Sequence, residues 1–326
     1  MVKWVLGWTI VGCLVAPGTL SAQAKSSAAK SWTPPKTPDG QPDLEGYWTN
    51  ATLTPLERPA QLAGKATLTP EEAAAYVNQI REQGNRDRRG GSAETDVGEA
   101  YNDFWFDRGT KIVGSLRTSL IVDPPDGKIP ALTPEAQKRM DDTRAYNREH
   151  PADGPENRGL AERCLIWATA GPPMLPGPYN NAYQIVQNRD YVLILSEMIH
   201  DARVIPLDNR SHLGAGVRQW VGNSRGHWEG NTLVIDTTDF NGKAPFRGSD
   251  PSLHLVERFT RTDANTMRYE FTVNDPSGFT KPWTAQIPFS RAEGPIFEYA
   301  CTEGNYAMTD MLGGARAQEQ KGGAAR

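Results

Sequence analysis

The sequence predicts a mainly β protein, built as one antiparallel barrel that carries helices and loops in its N-terminal half. Three observations lead there. Beyond residue 182, short runs rich in Val, Ile, Thr and aromatic residues recur at close spacing, parted by turn-forming residues. Glycine (31 residues) and proline (25) are abundant, as many short strands joined by tight connections require. The clear helix-start signals, at Thr69 and Thr133, both fall in the first half of the chain. A meander of eight or nine strand candidates closes most easily on itself, which removes exposed strand edges. A two-sheet β-sandwich is the alternative.

In chain order, residues 1–24 read as an export signal. Lys3 supplies the positive start, residues 4–15 the apolar run, and Ala22-Gln23-Ala24 a small-x-small cleavage site. The run is too short and too broken by Gly to span a bilayer, so the mature chain is expected to have no integral membrane span and to be periplasmic or secreted. An uncleaved N-terminal anchor and lipoprotein processing at Cys13 are the alternatives. Residues 25–44 are Ser-, Ala- and Pro-rich and read as a linker, ahead of a single domain over 45–312.

Gly46-Tyr47-Trp48 resembles the G-x-W triplet that begins the first strand of lipocalin-type barrels, so the predicted barrel is lipocalin-like. Thr69-Pro70-Glu71-Glu72 supplies a cap, a first-turn proline and a capping-box Glu for a helix to about residue 83. Thr133-Pro134-Glu135 opens a second helix to about residue 149. Residues 85–98 read as a charged, Gly-rich loop, and 115–122 as a strand ending in Asp123-Pro124-Pro125-Asp126-Gly127. Strands are then expected over 183–187, 191–198, 199–207, 232–237, 252–261, 266–274, 283–289 and 296–301, with a disordered tail over 313–326.

Charge excludes some functions. Lys and Arg number 35 against 39 Asp and Glu, intermixed along the chain, so no nucleic-acid partner is expected. His212, His227 and His254, even with Glu197, Asp201 and Glu257, show no metal-site spacing, and no metal or cofactor is expected. Residues 222–226 lack the glycine spacing and Lys of a phosphate loop, and Ser224 lacks a nucleophile-elbow setting. Cleavage after Ala24 would leave Cys164 and Cys301, an even pair for which an exported protein suggests a disulfide; two separate thiols are the alternative.

Several strand candidates carry ionisable residues among apolar ones. By strand alternation Glu257 shares a face with Leu253, Leu255 and Phe259, opposite His254 and Arg258, while Glu197 shares one with Tyr191, Leu193 and Leu195. A barrel enclosing a ligand needs a few such groups inside, whereas external salt bridges are the bland alternative. The densest cluster is 197–203. There His200 or Glu197 is the candidate proton carrier and Arg203 the anchor for an anionic group. Glu257 and Tyr299 would orient a substrate, Arg258 would add a second cation, and Trp220 and Trp283 would stack on a planar ligand.

Residues 222–234, GNSRGHWEGNTLV, resemble a G-x-S-x-G-x-W-E-G-D-T-L-V signature found in a broad group of exported bacterial proteins. LHLVERF (253–259) and FTKPWT (279–284) resemble that group's later blocks, and the likeness covers roughly residues 163–315. Asn231 stands where the signature has Asp, and Thr302 where the closing block often has His. The resemblance implies export and names no reaction. The expected function is an exported small-molecule-binding barrel. In its enzymatic version it is a cofactor-free lyase, decarboxylase or isomerase acting on an aromatic or carboxylated substrate, as phenolic acid decarboxylases do on a lipocalin-like barrel. In the other it is a non-catalytic carrier or an envelope assembly component.

Overall fold

The computed structural model describes Met1 and residues 32–87, 91–99, 102–167, 169–214, 216–249 and 251–321. The apolar run of the export signal, its cleavage site, Cys13 and residues 25–31 of the linker lie outside the described residues. The strands are β1 (Gly46–Thr49), β2 (Ile121–Asp123), β3 (Ala182–Gln187), β4 (Tyr191–Ser196) and β5 (Ala202–Pro206). They continue as β6 (Asn223–Glu229), β7 (Thr232–Thr238), β8 (His254–Arg261), β9 (Thr266–Asn274) and β10 (Trp283–Arg291). Among the described residues the α-helices are α1 (Pro70–Gly84), α2 (Ala93–Glu99), α3 (Pro134–Glu149) and α4 (Ala307–Gln320).

Around the wall the order is β1, β3, β4, β5, β6, β7, β8, β9, β10, and β10 returns to β1 through Trp48 opposite Arg291 and Thr49 opposite Ser290. Every ladder is antiparallel. This is an up-and-down barrel, and β2 adds to it by pairing with the first half of β10. The boundary between β5 and β6 carries no backbone ladder. Side chains close it: Arg203 on β5 donates to Ser224 Oγ on β6 at 3.2 Å. A Cβ on Gly226 would lie 2.8 Å from methyl groups of Ile205 and Leu207, so the absent side chain lets the two strands approach.

Local chemistry explains the pieces. Thr69 Oγ1 accepts from the Glu72 N–H and Glu72 returns a carboxylate to the Thr69 N–H, completing the capping box of α1. Thr133 caps α3 through the Ala136 N–H. Asn188 Oδ1 accepts the N–H groups of Asp190 and Tyr191 and fixes the β3–β4 turn. The β6–β7 turn has Gly230 at φ +60°.

Inward residues alternate along the long strands and fill the lumen. Trp48, Phe259, Tyr269, Phe271, Trp283 and Phe289 are fully buried there. Their rings pack at 4.9 Å (Phe259–Tyr269), 5.3 Å (Tyr269–Phe289) and 5.6 Å (Phe271–Trp283). The expectation of a ligand enclosed by the wall is corrected here, because aromatic core already occupies the interior. One end is stopped by residues 169–175, whose Met174 is fully buried and donates its N–H to Tyr269 Oη at 3.1 Å.

Other expectations change. Residues 296–301 are not a strand, residues 85–98 include most of α2, and the expected strand over 115–122 narrows to Ile121–Asp123. The expected structureless tail belongs to α4 as far as Gln320. The linker's end is ordered: Leu44 is fully buried and donates its N–H to Gln187 Oε1, while Gln187 Nε2 donates to Pro42 O. Cys164 and Cys301 form a disulfide across a separation of 137 residues, with Cα atoms 5.7 Å apart. Among the described residues no helix is long and apolar enough to cross a membrane. Replacing both cysteines by Ser releases that long loop in the unfolded chain. Urea denaturation should show a loss on the order of 4–5 kcal/mol relative to the oxidised wild type.

Candidate functional site

Two of the predicted site residues meet in the lumen. Arg203 lies on the inner face of β5 and Glu257 on that of β8, and they form a two-pronged pair at 3.1 Å (Nη1 to Oε1) and 2.5 Å (Nη2 to Oε2). Tyr269 on β9 donates its hydroxyl to Glu257 Oε1 at 2.8 Å, and Ser224 meets Thr237 Oγ1 at 3.0 Å. Burial works against the Arg203 charge, but the Glu257 carboxylate outweighs it and holds the guanidinium above its ordinary pKa. Burial, reinforced by the negative charge of Glu257, pushes the Tyr269 phenol well above its ordinary value, so it stays a donor. The pair is sealed, with side chains 6 % and 0 % exposed. It ties five strands together and offers no face to a substrate.

The other predicted site residues do not join it. Glu197 is buried but accepts from Asn180 Nδ2 at 2.6 Å, just past the end of β4. His200 is exposed on the following turn, where Ile199 (φ +65°) and His200 (φ +41°) both take left-handed backbone. That reversal defeats the extended geometry assumed for 197–203. Tyr299 lies beyond β10 in the irregular C-terminal segment. Arg258 points outward and pairs with Glu229 at 2.7 Å. Trp283 is core, stacked on Phe246 at 5.9 Å, and its indole N–H has no hydrogen-bond partner.

Trp220 is placed differently. It is 37 % exposed and lines an apolar cleft of about 630 Å³ on the outer side of the 169–175 segment. Leu160, Ile166, Trp167, Phe240 and Phe246 contribute to the same lining. The walls are fixed from below. Gln219, next to Trp220, accepts the Asn241 N–H at 2.8 Å and donates its N–H to Asp239 O at 2.9 Å, joining the end of the β5–β6 connection to the end of β7. The 160–167 wall contains Cys164 and is thereby tied to Cys301. Only Trp220 of these residues was marked by the sequence. The rest sit in segments with no periodicity, which nothing local relates to one another.

A second cluster that the sequence left scattered lies on the outer wall. Asp236 on β7 meets His212 Nε2 at 2.8 Å through Oδ1 and His254 Nε2 at 2.5 Å through Oδ2. Asn223 Oδ1 accepts the Leu213 N–H and faces His212 Nδ1 at 3.2 Å, which holds the imidazole in place. Burial opposes the Asp236 charge, yet the hydrogen bonds and charges of both histidines leave its carboxyl below the usual range. The hydrogen bond to Asp236 raises His254. Among the described residues no group of three or more His, Cys, Asp and Glu is arranged to hold a metal ion. The cluster fastens the β5–β6 connection to the wall.

No protein-family model matches the chain. No curated protein matches it either. Among solved structures, it is similar to a variant of the fluorescent protein UnaG, at 14 % identity and a TM-score of 0.23, over 41 % of this chain and 88 % of that one.

Two measurements probe these clusters. Glu257→Gln leaves Arg203 buried without a counter-charge and should cost about 3–5 kcal/mol in urea unfolding; the apolar pair Arg203→Met/Glu257→Leu should cost less. On the outer wall, the raised His254 contributes stability that is complete below its ordinary pKa of 6.5 and lost as pH rises through its folded value. The lowered Asp236 contributes above its ordinary 3.8 and loses that as pH falls. The stability advantage of wild type over His254→Gln should therefore be largest at about pH 4–6 and shrink as pH rises above 6.5 and through the raised folded value.

Proposed function

We propose that the chain is an exported binding protein for small apolar molecules, which sit in the cleft at the end of the barrel rather than in its lumen. One observation carries the reading: Trp167, Trp220 and Phe246 line an open cleft of about 630 Å³, a size that suits a small organic ligand, while the lumen behind it is filled with rings. Trp220 remains partly exposed at no evident structural gain, as a residue reserved for a ligand would. Export rests on the N-terminal signal and on membership of the exported group that the 222–234 signature suggests; a disulfide between Cys164 and Cys301 suits an oxidising compartment. The enzymatic version has less support. His200, Glu197 and Tyr299 stand apart from one another, and Glu257 is spent on Arg203 and Tyr269.

The probe of choice is phenylnaphthylamine, a neutral fluorophore that brightens in apolar surroundings. Wild-type protein should bind it saturably at one site, and Ala244→Phe, which places a ring in the cleft, should abolish that binding while far-UV circular dichroism stays unchanged. Binding that is non-saturable, or indifferent to Ala244→Phe, would sink the proposal.

A further inference from the structure

We infer that the natural ligand of the cleft carries a negative charge, met by Arg247; this rests on the cleft being the binding site. The charged residues in the lining are Glu162 and Arg247. Glu162 is already engaged. Its two oxygens accept from Arg158 Nε (3.1 Å) and Nη2 (2.9 Å), and Oε2 also accepts the Gly159 N–H at 3.0 Å. Arg247 is exposed and has no side-chain partner among the described residues, so it is the unneutralised charge of the rim.

Its placement is built rather than incidental. The turn that presents it is locked by two hydrogen bonds, Phe246 N–H to Ser249 Oγ at 2.8 Å and Ser249 N–H to Phe246 O at 3.0 Å, and Ser249 is buried. Phe246 on one side stacks on Trp283 in the core. Gly248 on the other has φ +102°, and a Cβ there would lie 2.8 Å from Leu132. Arg247 itself is held at φ +53°, a conformation that costs any residue but Gly. A rigid turn thus aims one guanidinium beside an apolar surface faced with indoles. The complementary molecule is an amphipathic anion: a flat or branched apolar body with a carboxylate, sulfonate or similar group at one end. A guanidinium meets such a group through paired N–H donors.

The test compares two probes with one skeleton, neutral phenylnaphthylamine and anilinonaphthalene sulfonate, on the full chain. Wild type should bind the sulfonate about three- to tenfold tighter than the neutral probe, as expected for a charge pair at a solvent-exposed rim. Arg247→Asn keeps a side chain that tolerates left-handed backbone. It should remove that preference, bringing the sulfonate's affinity to that of the neutral probe, while Arg247→Lys should retain most of it. Added salt should weaken the sulfonate alone. Neutral binding that Ala244→Phe abolishes, with no sulfonate preference or with one indifferent to Arg247→Asn, would overturn the charge inference and leave the cleft reading standing. Binding of neither probe would overturn both.

Discussion

The barrel depends on one buried guanidinium. Between β5 and β6 the wall has no backbone ladder, and Arg203 spans that gap to Ser224 while gripping Glu257 across the lumen. Through Tyr269 and Thr237 the same contacts reach β9 and β7. Taking a charge pair out of water is costly, and losing either partner leaves an uncompensated buried charge, which costs more still. The arrangement therefore enforces register. Sliding β5 by one residue would turn Arg203 outward and leave Glu257 buried alone, a penalty that no apolar contact at the seam could offset.

The 222–234 signature takes on a structural meaning at this seam. Gly222, Ser224, Gly226 and Trp228 fall at every second position, so they share a side of the strand, facing inward over β6. A Cβ at Gly222 would lie 2.7 Å from Thr237 Cγ2 and from Thr238 O, and one at Gly226 would meet Ile205 and Leu207. Ser224 is buried and shared between Arg203 and Thr237. What resembles a hydrolase pattern of glycines around a serine is a strand kept thin on its inner face so that a neighbour can approach without a ladder. Glu229 and Gly230 follow as an outer-wall partner for Arg258 and as the turn, where Gly230-Asn231 is itself a good hairpin pair.

Legibility in the sequence followed locality. The Thr69 capping box, the Thr133 cap and the alternation of β8 are set by residues within a few positions and are legible, including the inward face of Glu257. The 197–203 cluster departs from strand alternation because the chain takes left-handed backbone at Ile199 and His200, which no composition rule announces at a β-branched residue such as Ile199. Trp283 looked like a stacking residue, but position parity on β10 puts it in the core with Ala285, Ile287 and Phe289. The cleft was invisible for a different reason. Its lining residues come from three stretches far apart in sequence, around 160–175, 220–221 and 240–253, and the bonds of Gln219 to Asp239 and Asn241 and the Cys164–Cys301 disulfide are long-range contacts that no local pattern announces.

The position of the cleft follows from what the lumen is asked to do. A ligand inside the wall would have to displace fully buried rings, each worth roughly 1.5–3 kcal/mol of burial, and would approach an ion pair whose strength depends on the exclusion of water. On the outer side of the 169–175 segment, Trp167 and Trp220 are not fully buried and can gain by being covered. That segment is itself stiffened from within. Met174 donates to the same Tyr269 hydroxyl that supports Glu257, and Thr169 O accepts the Tyr183 hydroxyl at 3.1 Å. The floor of the cleft is thus fastened to the polar centre of the barrel, and a ligand settling on it orders little that is not already ordered. The filled lumen, with its sealed ion pair, is a rigid support for the cleft, as the proposed external apolar site requires.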